Sequence, residues 1–121
     1  MKITFKDTEY EVLPSEQKLP PEIKAQWVEA LRSGKFPQGK YVLCANGDYC
    51  CFGVLSSLQG RLTPSGNDGL GGSETVLDCS NPLNWVNDVS VVVADGTFTL
   101  IGLNDNGIPF SQIADIIDYA L

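Results

Sequence analysis

Residues 49–58 read YCCFGVLSSL, with two adjacent cysteines at the head of an apolar run. A helix that is apolar on every side has to be enclosed by other elements, whereas a cysteine exposed at a helix start marks a reactive thiol. The helix dipole favours a thiolate at such a position, so both readings are physically sound. Asp48 stands where an N-cap is expected, which predicts a helix over 49–59 with Val54, Leu55 and Leu58 inward and Gly60 as its stop. The run then becomes the central helix of the core, its cysteines facing Trp27, Leu31 and the closing helix of the chain.

The surrounding segments supply the rest of an α+β domain. Ile3, Phe5, Tyr10 and Val12 alternate with polar residues about KDTE at 6–9, the pattern of a hairpin. Pro21 is suited to a first helical turn, and Ile23, Trp27, Ala30 and Leu31 recur at helical spacing up to Gly34, so a helix is expected over 21–33. YVLCA at 41–45 reads as a short strand ending in the turn NGD. Residues 62–73, LTPSGNDGLGGS, hold four glycines and a proline and are expected to form a mobile loop. VSVVVADGTFTLIGL, after NPLNW at 81–85, reads either as a hairpin around ADGT or as a strand followed by a short helix from Thr99. A closing helix over about 109–120 carries the stripe Phe110, Ile113, Ala114, Ile116 and Ile117. The expectation is one compact domain over residues 1–121, a small antiparallel sheet with three to four helices.

The length and composition agree with that. A chain of 121 residues buries roughly two thirds of its unfolded surface, enough for one independent core. MKITFKDTEYEVL lacks the continuous apolar region of a signal peptide. VSVVVA at 89–94 falls far short of the roughly 20 residues that span a bilayer, so a soluble, intracellular protein is expected. In that setting the four cysteines, Cys44, Cys50, Cys51 and Cys79, are expected as reduced thiols.

The catalytic and metal patterns fail one after another. DYCCFGVL is similar to the strand-to-helix cysteine of papain-like hydrolases, but that sulfur is activated by a histidine and this chain has none. Structural zinc would need all four cysteines, whose spacing lacks two close pairs. Aligning Gly107 with the glycine of a calcium loop puts Gly102 and Ile113 where acids are required. A phosphate loop at Gly34-Lys35 finds Glu29 in place of its first glycine and Phe36 in place of its hydroxyl residue. LNDNGIPFSQIADIIDYAL begins like a helix-turn-helix reader and ends before a recognition helix, in the most acidic half of the chain. No metal, cofactor, direct nucleic-acid partner or membrane partner is implied. A thiol- or carboxylate-dependent enzyme remains as a third reading.

Charge is divided unevenly along the chain. All eight basic residues lie in 1–61, against seven acids; residues 62–121 carry eight acids and no base, giving the net charge of −7. These acids must face water, the basic first half or a basic partner, which makes Asp68, Glu74, Asp78, Asp88 and Asp95 candidate partner-binding residues. Arg32, Lys35 and Lys40, with Gln38 and Tyr41 among them, form a basic segment with two possible roles. It can bind a small anionic, nucleotide-like ligand, or it can be the internal counter-charge to the acidic half.

Three motifs in order, W..ALRSGK..QGK..L from Trp27, YCCFGVL from Tyr49 and LNDNG..F..IADII from Leu103, resemble a group of small proteins encoded in phage and prophage genomes. The group carries no assigned activity, so no catalytic residue transfers. The resemblance covers residues 27–55 and 103–117 and implies a viral accessory protein in the host bacterial cytoplasm, a binder that interferes with a host protein, counter-defence included. Pro109 departs from the group, which has a small polar residue there.

Overall fold

The computed structural model describes residues 2–39, 44–45, 47–59, 82–83, 85–86, 91–93 and 96–121. The fold is α+β; among the described residues it has an antiparallel four-stranded sheet, a two-stranded ribbon and four helices. Strands β1 (Lys2–Phe5) and β2 (Thr8–Val12) form the expected hairpin, with Ile3 opposite Tyr10 and Phe5 opposite Thr8. Its two-residue turn puts both Lys6 and Asp7 at positive φ, 48° and 64°, the backbone that matches strand twist in a tight hairpin. Helix α1 (Pro21–Ser33) has proline in its first turn and stops at Gly34, whose φ of 76° is the left-handed conformation glycine adopts without strain.

The short strands β3 (Cys44–Ala45) and β4 (Asp48–Tyr49) pair with each other and lead into α2 (Cys51–Leu58). Strands β5 (Val91–Val93) and β6 (Gly96–Phe98) complete the main sheet, in the order β1-β2-β5-β6. Both alternatives for this stretch are realised in sequence: β5 and β6 pair as a hairpin, and Thr99 then caps α3 (Leu100–Asp105) by accepting from the Gly102 N–H at 3.2 Å. Helix α4 (Phe110–Ala120) closes the fold.

The register places Ile3, Phe5, Tyr10, Val12, Val91 and Phe98 on one face of the sheet, all buried or packed against the core. Tyr10 and Phe98 meet across it in a tilted ring contact, 6.1 Å between centroids. Against this face lie the helices. Leu19, just before α1, donates its N–H to Leu121 O beyond the end of α4, while Arg32 in the last turn of α1 reaches Asp115 in the middle of α4. The two helices therefore run antiparallel. The last carbonyl of α4 is taken up by the connection before α1: Ser15 N–H and Lys18 Nζ both donate to Ala120 O.

Helix α2 is buried on all sides over Cys51–Ser56, as its composition predicts. Two details differ from the sequence reading. Asp48 belongs to β4, and the N-cap is Cys50, whose Sγ accepts from the Gly53 N–H at 3.3 Å; the helix starts two residues later than its apolar run suggests. The pairing of Asp48 and Tyr49 with β3 holds those residues extended. Leu58 is exposed instead of inward, because the buried part of the helix ends at Ser56. Gly60 and the glycine-rich stretch 62–73 lie outside the described residues.

Candidate functional site

Among the described residues, Asn104, in the last turn of α3 and wholly buried, is a side chain held by several hydrogen bonds. Its Oδ1 accepts from the Cys51 N–H at 3.2 Å and from Gln38 Nε2 at 3.1 Å. Its Nδ2 donates to Gly39 O at 2.9 Å and, at 3.5 Å, to Asp105 Oδ1. One amide thus meets an orphan donor of the first turn of α2 and an orphan acceptor of the 37–39 segment, neither of which has a helix or sheet partner for the purpose.

Gln38 extends the network. Its Nε2 also donates to Ile108 O at 2.7 Å, and its Oε1 accepts from the Phe110 N–H at 3.1 Å, the first residue of α4. Helix α4 begins at Pro109 with no side-chain cap of its own, so the cap is supplied from a distant segment. The 37–39 segment is fixed in turn by β4: Gly39 N–H donates to Tyr49 O and Tyr49 N–H to Pro37 O, both at 2.7 Å. A side chain at position 39 would place its Cβ 2.9 Å from Asp48 Cβ, closer than two carbons approach, so this contact requires glycine. Phe36 packs edge-on against Tyr49, 5.1 Å between ring centroids, and covers the outer side of the junction. Gln38–Gly39, the YCCFGVL segment and the LNDNG..F segment therefore meet at one polar hub centred on the buried Asn104.

The two thiols beside the hub are unsuited to nucleophilic work in this conformation. Cys50 and Cys51 are wholly buried, and Trp27 Nε1 donates to Cys51 O at 3.0 Å, closing the first turn of α2 against α1. Burial pushes the Cys50 thiol up from 9.0 to about 11, and the nearby Asp105 carboxylate acts in the same direction. Cys51 is raised well above its ordinary value, first by burial and then by Cys50 and Asp105. A neutral, enclosed thiol is a small hydrophobic group.

The basic segment divides. Arg32 Nη2 lies 2.6 Å from Asp115 Oδ1, an exposed ion pair that joins α1 to α4 and uses an acid of the basic-free half. Lys35 is exposed, and Gln38 is turned inward to the hub. Lys40 and Tyr41 lie outside the described residues, as do Asp68, Glu74, Asp78, Asp88 and Asp95. Asn104 is not among the residues singled out by sequence; the available signal is its place in the LNDNG motif, which by composition reads as a turn. No helix among the described residues is long and apolar enough to cross a membrane.

Residues 19–63 match a family described as a domain of unknown function (DUF8296). That span takes in α1, the Gln38–Gly39 segment and α2, and stops before Asn104. No curated protein and no solved structure matches the chain.

Proposed function

We propose that this protein acts by binding rather than by catalysis: a phage accessory protein in the host bacterial cytoplasm, whose acidic half engages a host protein with a basic surface and interferes with its work, counter-defence included. The observation that carries this reading is the charge division, eight acids and no base over residues 62–121. The pairing of Arg32 with Asp115 engages one of the eight acids in that half. The enclosed, neutral thiols agree with a role that does not depend on them. Phage context rests on the resemblance of the three motifs.

A partner recovered from host lysate on the immobilised protein is the starting material for the test. Its affinity is expected to fall steeply between low and physiological salt, and to fall again on combined Asp→Asn change at Asp68, Asp88 and Asp95. An affinity indifferent to both overturns the proposal. The competing reading, sequestration of an anionic nucleotide-like signal, requires Arg32 and Gln38 to leave their internal partners. It predicts a melting temperature raised by a nucleotide and no longer raised in Lys35→Ala.

A further inference from the structure

We propose that Asn106–Gly107, in the turn between α3 and α4, is a site of spontaneous covalent modification gated by the hub: an asparagine that deamidates only when this turn opens. Asn106 is exposed, and the following residue is glycine, whose nitrogen is the least hindered nucleophile the backbone offers. In the reaction the Gly107 nitrogen attacks Asn106 Cγ, the new N–Cγ bond forms, the bond from Cγ to the side-chain nitrogen breaks, and ammonia leaves. Water then adds to either carbonyl of the cyclic imide and gives aspartate or isoaspartate.

The folded turn holds this chemistry back. Gly107 N–H donates to Asn104 O at 3.1 Å, which ties up the attacking nitrogen. Asn106 N–H donates to the Gly102 and Leu103 carbonyls at 3.0 and 3.1 Å, and Ile108 N–H to Leu103 O at 3.2 Å. Asn106 itself sits at φ −83° and ψ −1°, which directs the Gly107 nitrogen along the turn. Attack on Cγ needs a different ψ and a free amide, and therefore local opening.

Once made, the product cannot return to the same geometry. Isoaspartate adds a methylene to the backbone within the turn that presents Ile108 O and Phe110 N–H to Gln38. It also places a carboxylate beyond the end of α3, where the helix dipole is unfavourable to negative charge, and beside Asp105. Asn104 in the same motif is protected differently, because both ends of its amide are bonded in the interior.

The test is to age the full-length protein in mildly alkaline buffer, with and without denaturing urea, and follow both products at Asn106 by peptide mapping. Asn46–Gly47 in the same digest reports that Asn–Gly chemistry is proceeding. Conversion at Asn106 is expected in urea and is expected to be at least about tenfold slower in native buffer. Asn104→Ala should bring the native rate toward the urea rate. Should that variant fail to fold, urea below the unfolding midpoint gives the second reading, with a rate that climbs steadily with concentration. Equal rates in native buffer and urea, or an Asn106 that stays intact in denaturing urea while Asn46 converts there, overturn the proposal.

Discussion

At the scale of the residue, Asn104 is the point where the interior has most to lose. Replacing it with alanine leaves the buried Cys51 N–H and the half-buried Gly39 O without the Asn104 amide, while Gln38 keeps Ile108 O and Phe110 N–H. A buried orphan costs about 1–3 kcal/mol and a half-buried one less, so Asn104→Ala is expected to lower stability by about 2–3 kcal/mol, read as a shifted urea midpoint at unchanged slope. The thiols carry a pH dependence whose sign follows from burial. The folded state holds Cys50 protonated up to about 11 while an unfolded thiol ionises near 9.0, so the native state binds the extra proton between these values. Stability is therefore whole below pH 9 and falls as pH rises toward 11, and Cys51 adds to the same slope. Denaturation of Cys50→Ala across that range should show a shallower fall than the parent; an identical slope would contradict a buried neutral thiol. Neither feature is announced by its residue type, because an asparagine or a cysteine in a sequence carries no mark of what encloses it.

Among the elements, the two that begin and end the helical layer are self-specifying. Proline in the first turn and a left-handed Gly34 bound α1, and the apolar stripe of α4 lies buried along its full length. Hairpin β1–β2 is less well served by its residues. Lys6 and Asp7 occupy left-handed backbone that costs a non-glycine residue about 1 kcal/mol, so an Asn-Gly turn made by Lys6→Asn with Asp7→Gly should raise the melting temperature by a few degrees. At Gly39 the expectation reverses. Gly39→Ala pushes a methyl against Asp48 and should cost about 1–3 kcal/mol, with loss of the contact between the 37–39 segment and β4. Helix α2 shows the limit of local signals: its apolar run is plain in the sequence, but its first residue is set by Tyr49 bonding to Pro37 and by Cys50 capping Gly53. Asp48 has the chemistry of a cap and is drawn into a strand by pairing that its neighbours do not encode.

For the whole molecule, charge and topology are the governing quantities. A net charge of −7 means self-repulsion in the compact state, so the melting temperature should rise as salt is brought to about 0.15 M, opposite to the effect expected on partner binding. The exposed Arg32–Asp115 pair is worth under about 1 kcal/mol, so Arg32→Ala should barely move stability; a large loss would show that this bridge fixes how α1 and α4 pack. The sheet order β1-β2-β5-β6 brings the first two strands beside two that lie some eighty residues further along. What the sequence by itself determined are the α+β class, the extents of α1 and α4, the first hairpin and the division of charge. Each depends on neighbours within a few positions or on a simple count. The meeting of Gln38, Cys51 and Asn104 was decided only by the tertiary structure, since bonds between residues 53 and 66 positions apart leave no local pattern. Their worth comes from burial, and burial is a property of the assembled fold.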